Sequence, residues 1–251
     1  MTLAAASDQL AAPGARLRPS RDIGRPGELR PDFSEILRLV RPGSRVLDVG
    51  CGEGALLELL VEEKGCDGRG LEISAAGVSA CLARGLAVVQ GDADRDLADF
   101  PSHAFDYAIL SQTLQATVAP RDVLSALLRI ADRAIVSFPN FGHWRTRLSL
   151  LTQGRMPETP ALPHHWWSTP NIHMCTLRDF MILCRDLDLR IESCAALTTG
   201  KPPRPIDPDR AIENWRAESA LFMLSRNNGE KRIATAPAAA AERTDLFGSA
   251  T

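Results

Sequence analysis

The stretch Val46-Leu-Asp-Val-Gly-Cys-Gly-Glu-Gly54 decides the fold, because a largely apolar segment runs directly into three closely spaced glycines. Its apolar residues predict a short buried strand, Arg45–Val49, and the leucine-rich residues after it predict a helix, Ala55–Lys64. A tight turn between a strand and a helix favours residues without a Cβ atom, which let a ligand approach the backbone. Ligands of open α/β sheets bind beyond the carboxyl ends of the strands. The stretch therefore predicts a ligand-binding turn at the first strand–helix junction.

Strands and helices alternate along the rest of the chain. Apolar runs predict seven strands, at 45–49, 69–73, 87–90, 105–111, 133–138, 189–197 and 219–225. Helical spacing of apolar residues predicts helices between them, the first starting at Asp32 as its N-cap and the last starting at Thr176. This alternation is typical of a Rossmann-like α/β fold, in which a mostly parallel seven-stranded sheet carries helices on both faces.

The composition divides the chain into a body and two tails. Residues 1–30 are rich in Ala, Pro, Gly and Arg without periodicity, and 227–251 include an alanine run, so both are predicted to be disordered. The body, 31–226, is predicted to be one domain. A segment rich in Pro and Trp, 139–175, interrupts the alternation after the fifth strand, and insertions of this length are usually functional. We interpret this insert as a lid or as a protein interface.

Length, charge and cysteine content narrow the function classes. The 251 residues include 29 basic and 31 acidic side chains, a net charge of -2 that does not favour nucleic acid as a partner. No apolar run approaches the roughly 20 residues of a membrane span. The six cysteines include no C-x-x-C pair, and residues 1–19 lack the basic start and apolar run of a secretory signal. Because Asp8 also argues against an organelle transit peptide, we expect a cytoplasmic protein.

Three acidic residues at strand ends narrow the class of ligand. Asp48 lies two residues before the first glycine, where a carboxylate would suit an ammonium or sulfonium group and would repel a diphosphate. Glu72, at the end of the second strand, is placed to accept hydrogen bonds from both ribose hydroxyls. Asp92, in Gly91-Asp-Ala93, offers a carboxylate to an adenine amino group. The order of these acids predicts an adenosine ligand with a positively charged end.

The glycine pattern by itself leaves a second ligand class open. Gly50, Gly52 and Ala55 also satisfy the relaxed fingerprint of dinucleotide-binding turns, in which Ala is allowed at the third position. An NAD-dependent oxidoreductase is the less favoured interpretation, because Asp48 would repel the diphosphate and Asp92 suits an adenine amino group.

Together, the glycine turn and the three acids resemble the class I S-adenosylmethionine-dependent methyltransferases over residues 31–226. The resemblance implies that the glycines contact the methionine part of the cofactor, that Glu72 holds the ribose and that Asp92 reads the adenine. Ser111 and Gln112, at the end of the fourth strand, match the cofactor-facing segment of these enzymes less closely. The residues assigned in this way to S-adenosylmethionine or S-adenosylhomocysteine are Asp48, Gly50, Cys51, Gly52, Gly54, Glu72, Ile73, Asp92, Ala93, Ser111 and Gln112.

The insert contains the candidate residues for chemistry. Methyl transfer needs an attacking atom aligned with the methyl carbon and, for many acceptors, a base that removes a proton. His143 is the candidate catalytic base, although a histidine beside Trp144 is more often a packing or hydrogen-bonding residue. Three histidines and a cysteine at 164–175 suggest a metal site, but their spacing fits no ordinary zinc pattern, so no metal is predicted.

Further segments make the resemblance closer. The MetW family of methionine biosynthesis proteins is similar to this chain at Arg30-Pro-Asp32, Gly70-Leu-Glu-Ile73, Val89-Gln-Gly-Asp-Ala93, Ser111-Gln-Thr-Leu-Gln115, Phe138-Pro-Asn-Phe-Gly-His-Trp144, Trp166-Trp167 and Asn171-Ile-His173. This resemblance implies a bacterial cytoplasmic protein that acts as an accessory or regulatory partner of homoserine O-acyltransferase (MetX). The alternative is an active S-adenosylmethionine-dependent methyltransferase that acts on an unidentified small molecule.

Overall fold

The alternation of apolar runs and turn residues produces eight strands and seven α-helices in residues 30–227, the part of the chain that the computed structural model describes. The strands are β1 Arg45–Val49, β2 Asp67–Glu72, β3 Ala87–Gln90, β4 Phe105–Ser111, β5 Ala131–Pro139, β6 Leu189–Leu197, β7 Arg204–Pro205 and β8 Ser219–Arg226. The helices are α1 Pro31–Leu39, α2 Ala55–Lys64, α3 Ala75–Ala83, α4 Pro120–Ile130, α5 Trp144–Gln153, α6 Leu177–Asp186 and α7 Ala211–Arg216. The disordered tails predicted at 1–30 and 227–251 lie outside the described residues, apart from Arg30 and Asn227.

All eight strands belong to one sheet, in the order β3-β2-β1-β4-β5-β8-β6-β7. The strands from β3 to β5 are parallel, whereas β8 pairs antiparallel with both β5 and β6. The predicted mostly parallel Rossmann-like sheet is therefore confirmed. The sheet has eight strands rather than the predicted seven, because Arg204–Pro205 pairs with the end of β6. Two residues in a proline-rich loop are too few to show strand periodicity in the sequence.

Helices cover both faces of the sheet, as predicted. Val46 belongs to an apolar cluster that contains buried side chains of α1 and α2. Leu47 and Val49 belong to a second cluster, which contains buried side chains of α4 and α6. Because successive side chains of a strand point to opposite faces, Asp48 falls on the same face as Val46, toward α1. This places a carboxylate inside an otherwise apolar layer.

The first helix begins before the predicted N-cap. Arg30 takes the N-cap position and Pro31 the first helical position, which suits proline because an N–H group there would have no partner within the helix. The prediction that Asp32 is the N-cap is therefore wrong. The Asp32 carboxylate instead accepts hydrogen bonds from Arg30, Ser111 and Ser137. These bonds tie the start of α1 to the ends of β4 and β5.

The insert at 139–175 is only partly irregular. Its first part forms α5, which was not predicted because the apolar residues of this helix do not form one buried face; Thr146 is its one buried residue. The second part, 154–175, contains no helix or strand apart from an isolated bridge between Thr159 and Leu162. The two ends of the insert are joined by a hydrogen bond from the Phe141 N–H to the Cys175 carbonyl at 2.9 Å. We call this junction the base of the insert.

Three phenylalanines that meet between β5, β8 and α6 provide a test of the core. Phe222 is fully buried, and its ring lies 5.8 Å from that of Phe138 and 4.8 Å from that of Phe180. We expect Phe222→Ala to lower the free energy of unfolding by about 3–5 kcal/mol, because neighbours that are already packed against each other do not refill the cavity. Urea denaturation measures this loss. Leu151→Ala, at a side chain that is 84% exposed, is the control and should lose less than about 1 kcal/mol; equal losses in both variants would contradict this account of the core.

Candidate ligand-binding site

The carboxyl ends of β3, β2, β1 and β4 lie side by side along one edge of the sheet. The chain runs from β1 outward to β2 and β3, and then returns to form β4 on the other side of β1. The strand order therefore reverses between β1 and β4, and open α/β sheets bind ligands in the crevice at such a switch point. The fold thus brings the predicted residues at the ends of these four strands to one edge.

The glycine turn keeps its backbone accessible at Gly52. Gly50, Gly52 and Gly54 have φ angles of 74°, 57° and 85°, a conformation that glycine adopts without strain. A Cβ atom on Gly50 would lie 2.6 Å from the Thr113 side chain, and one on Gly54 would lie 2.5 Å from Leu86. Packing therefore closes these two positions. A Cβ atom on Gly52 would meet no other atom within 4 Å, so this is the point of the turn against which a ligand can lie.

The Glu72 carboxylate fixes the turn. Its Oε2 atom accepts a hydrogen bond from the Gly52 N–H at 2.8 Å, and its Oε1 atom accepts one from the Ser74 N–H at 2.8 Å. Ser74 is the N-cap of α3, and its hydroxyl accepts from the Gly77 N–H. Each oxygen of an ionised carboxylate has two lone pairs, so Glu72 can still accept hydrogen bonds from ligand hydroxyls.

Asp48 presents a buried carboxylate with unused hydrogen-bonding capacity. It is 1% exposed, and its Oδ1 atom has no hydrogen-bond partner among the described residues. Burial raises the pKa of Asp48 to about 7; Arg30 opposes this shift, whereas Glu72 and Asp32 add to it. Leaving a buried carboxylate without a partner is unfavourable, so a cationic ligand group in contact with it would be strongly favoured.

Ser111 and Gln112 border the crevice at the end of β4. The Ser111 hydroxyl donates to Asp32 at 2.7 Å and accepts from Arg30 at 3.0 Å, so ionic partners fix its orientation. Gln112 has a φ angle of 53°, and its N–H donates to the Ser137 carbonyl at 3.0 Å. The Gln112 side chain is exposed, which leaves it accessible to a ligand.

The loop after β3 holds Asp92 in a fixed but accessible position. Its Oδ1 atom accepts from the Asp94 N–H at 3.0 Å, and its side chain is 34% exposed. Ala93 beside it is half-buried. Ile73, which follows β2 at the same edge of the sheet, is 61% exposed and offers an apolar surface to an aromatic ring.

Cys51 contributes its backbone to the turn, while its side chain packs into the protein. The thiol lies among Leu57, Cys81 and Leu86, and its Sγ atom is 3.9 Å from that of Cys81. Burial raises the pKa of the Cys51 thiol. A buried thiol with a raised pKa is a poor nucleophile, so this residue has a structural role.

His143 lies at the N-cap position of α5 and is nearly buried. Burial lowers its pKa, which Glu218 partly counteracts, so the ring is neutral near pH 7. The ring borders a small pocket together with Asn140, Thr146 and Glu218, and no residue of the glycine turn lines that pocket. The structure therefore associates His143 with the base of the insert.

Asp94 is a residue of this edge that the sequence analysis missed. Its two carboxylate oxygens accept hydrogen bonds from the N–H groups of Val118 and Ala119, at 2.8 Å each. The loop after β3 is thereby joined to the segment that leads into α4. The one signal in the sequence is Pro120, because a helix that begins there needs acceptors for the N–H groups just before it.

Gln115 connects the same edge to the insert. Its backbone carbonyl accepts hydrogen bonds from the N–H groups of Ile172 and His173, at 2.9 and 3.0 Å. The His173 ring also lies 3.3 Å from the Val118 carbonyl, measured from Nε2. No sequence pattern predicts these contacts, because they join segments more than fifty residues apart through backbone groups.

Residues 30–227 were searched for metal-binding groups and for membrane-spanning helices. Within 30–227, no three His, Cys, Asp or Glu side chains converge in a group that could hold a metal ion. In the same range, each helix is too short or too polar to cross a lipid bilayer.

Solved structures share this fold at low sequence identity. An S-adenosylmethionine-dependent methyltransferase from Thermotoga maritima, described as a possible histamine N-methyltransferase, aligns with a TM-score of 0.58 and 15% identity over 78% of this chain and 87% of that chain. An S-adenosylmethionine-dependent methyltransferase from Mesorhizobium loti aligns with a TM-score of 0.56 and 18% identity, over 78% of this chain and 96% of that chain. At these identities the similarity shows the fold, which is that of the class I methyltransferases.

Sequence comparisons identify the family. The bifunctional methionine biosynthesis protein MetXA/MetW from Rhodopirellula baltica is 32% identical over 209 residues, which cover 80% of this chain and 33% of that protein. This chain thus corresponds to about a third of the length of that relative. The family model described as methionine biosynthesis protein MetW matches residues 30–224, which contain the glycine turn, the three acids and the insert. The chain belongs to the MetW family of methionine biosynthesis proteins.

Proposed function

We propose that the chain binds S-adenosylmethionine or S-adenosylhomocysteine in the crevice between β1 and β4. Asp48 would accept hydrogen bonds from the ammonium group, Glu72 from the ribose hydroxyls and Asp92 from the adenine amino group. The full set of proposed contacts is Asp48, Gly50, Cys51, Gly52, Gly54, Glu72, Ile73, Asp92, Ala93, Ser111 and Gln112. The unpartnered Oδ1 atom of Asp48 and the open space at Gly52 support this ligand.

We further propose that the protein is an accessory or regulatory partner of homoserine O-acyltransferase (MetX). The supporting observation is the Rhodopirellula baltica relative, whose name joins MetXA and MetW in one polypeptide. Joining two modules in one chain raises their effective concentration to the millimolar range, which is useful where the two act together.

Contacts within the chain offer a route by which the ligand would influence the partner. The loop that carries Asp92 is joined through Asp94 to Val118, and Gln115 is joined to the insert. A ligand that binds the free protein and the partner-bound protein with different affinities changes the stability of the protein–partner complex by the difference between the two binding free energies. We therefore propose that ligand concentration tunes the action on the acyltransferase.

Methyl transfer to a small molecule is the alternative function. S-adenosylmethionine, when bound, supplies a sulfonium-linked methyl group for displacement by an acceptor. Because burial keeps the His143 ring neutral near pH 7, this residue is chemically suited to remove a proton from such an acceptor. Its place in a pocket at the base of the insert makes this function the second choice.

A pair of glycine variants tests the ligand site. Gly52 and Gly43 both have positive φ angles and open space at the Cβ position, but Gly43 lies before β1, at the opposite edge of the sheet. We expect both Ala variants to lose a similar free energy of unfolding, about 1–2 kcal/mol, because both force Ala into a left-handed conformation. Only Gly52→Ala should also weaken S-adenosylhomocysteine binding, by at least about tenfold, since its methyl group enters the proposed site. Calorimetric titration measures the affinity, and equal affinities in the two variants would refute the assignment.

The proposed contact with Asp48 makes binding depend on pH. The pKa of Asp48 is raised to about 7 in the free protein, and a ligand ammonium would lower it by favouring the ionised carboxylate. Binding would then release a proton below pH 7, so affinity should rise by up to about tenfold per pH unit between pH 5.5 and 7 and level off above. In Asp48→Asn this rise should disappear. Calorimetry in buffers of different ionisation enthalpy measures the proton release that accompanies binding. If the pH dependence of the affinity were the same in the variant, Asp48 would be excluded as the group responsible.

The accessory role is tested by the turnover of homoserine O-acyltransferase from the same organism. We expect the rate to increase when this protein is added and to change further with S-adenosylmethionine concentration. The Gly52→Ala variant, which should bind the ligand at least about tenfold more weakly, is expected to need a correspondingly higher ligand concentration for the same change in rate. If the rate is unaffected and the two proteins do not co-elute, the accessory role is wrong, and a screen of methyl acceptors would follow.

A further inference from the structure

The part of the insert from Trp144 to Cys175 has almost no core of its own. Among these 32 residues, only Thr146 and Pro157 are buried. Ordering a segment of this length costs on the order of 1–2 kcal/mol per residue in conformational entropy, which is normally offset by burial of apolar side chains. The insert is held mainly at its base and at Gln115, so most of its apolar side chains remain uncovered.

The uncovered apolar side chains include several of the largest in the chain. Leu151 is 84% exposed, Trp166 is 68% exposed and Trp167 is 66% exposed. Met156, Trp166 and Met174 line a common pocket with Phe141 and Leu162, and the Trp167 ring packs edge-on against Trp166 at 5.8 Å. We call these seven side chains, with Leu148 and Ile172, the insert surface. Trp and Met are enriched at protein interfaces, and a pocket beside a Trp is typical of a binding hot spot.

The two exposed tryptophans provide a substantial part of the area that a stable complex needs. A large aromatic side chain buries about 150–250 Å², so covering the exposed two-thirds of both tryptophans would bury roughly 200–330 Å². An interface of standard size buries about 800 Å² on each partner. The two tryptophans thus supply a quarter or more of that area, and the other apolar side chains extend it.

The charges around the insert surface indicate the polarity of its partner. Leaving histidines aside, the basic and acidic residues between Trp144 and Cys175 are Arg145, Arg147, Arg155 and Glu158. The segment is therefore positive, whereas the whole chain has a net charge of -2. A segment with three arginines and one acidic residue favours acidic side chains on the opposing protein.

We propose that the insert surface is where homoserine O-acyltransferase docks, with an apolar patch rimmed by acidic side chains on the acyltransferase. This inference rests on the proposed partnership and adds the face that this chain uses. The covalent link in the Rhodopirellula baltica relative favours this occupant over a second copy of the chain. Docking there would also engage the segment that Gln115 joins to the end of β4.

Two insert variants and one control test the surface. The double variant Trp166→Ala/Trp167→Ala removes the two aromatic anchors, and Leu151→Ser removes an apolar side chain from α5. The control is Leu82→Ala. Leu82 is 58% exposed on α3, which packs against β3 at one end of the strand order, whereas the insert follows β5. Binding of each variant to the acyltransferase of the same organism is measured by biolayer interferometry, and S-adenosylhomocysteine affinity verifies that each variant is folded.

We expect the double Trp variant to bind the acyltransferase at least about 30-fold more weakly and Leu151→Ser several-fold more weakly, with the affinity of Leu82→Ala unchanged. Affinities that match the unmodified protein in both insert variants would overturn the docking surface and leave the partnership intact. Failure of the unmodified protein to bind would instead overturn the proposed function itself. Self-association of the unmodified protein that the Trp variant abolishes would assign the surface to a second copy and overturn this proposal.

Discussion

The geometry of the crevice depends on one carboxylate, that of Glu72. It accepts hydrogen bonds from the N–H groups of Gly52, in the turn after β1, and of Ser74, the N-cap residue of α3, which lie 22 residues apart along the chain. Hydrogen bonds to a charged acceptor contribute about 1.5–3 kcal/mol each. Their directional effect is more important here, because Gly52 has no side chain that could fix its backbone orientation. With Gly52 held by Glu72, the backbone faces open space in a defined orientation, which is the preorganisation that tight ligand binding requires.

Asp48 adds a constraint of the opposite kind, since it makes the ligand-free protein less stable. A carboxylate buried in an apolar layer with an unpartnered oxygen costs free energy, and the raised pKa of Asp48 is the sign of that cost. Arg30 offsets part of it, but Arg30 is itself bonded to Asp32 and Ser111. An apolar side chain at this position would make the ligand-free protein more stable. Retaining a carboxylate at this position is reasonable where a cationic ligand group completes the pairing.

Much of the fold follows from local sequence patterns, whereas the contacts between distant segments do not. The bounds of β1, β3, β4, β6 and α2 agree with prediction, because each is an apolar run or leucine repeat bounded by turn residues. The α5 helix and the β7 strand escaped prediction, since neither has a periodic apolar face. The positions of the candidate site residues could be predicted because parallel strands bring their carboxyl ends to one edge. The roles of Asp32, Asp94 and Gln115 could not, because their partners, apart from Arg30 beside Asp32, lie 24 to 105 residues away.

The position of the insert bears on the choice between methyl transfer and regulation. Fold alone does not decide between them, because function resides in sites built on the fold. In this chain the insert closes on itself at Phe141 and Cys175 and is joined to the end of β4 through Gln115. A ligand at the carboxyl ends of the strands and a protein on the insert would therefore contact segments that these hydrogen bonds already join. If one partner restricts the motion of the joined segments, the other loses less conformational entropy on binding, so the two events favour each other without a large movement. An enzyme would use such an insert to cover its acceptor, but an insert that leaves its tryptophans facing outward is better suited to report ligand occupancy to another protein.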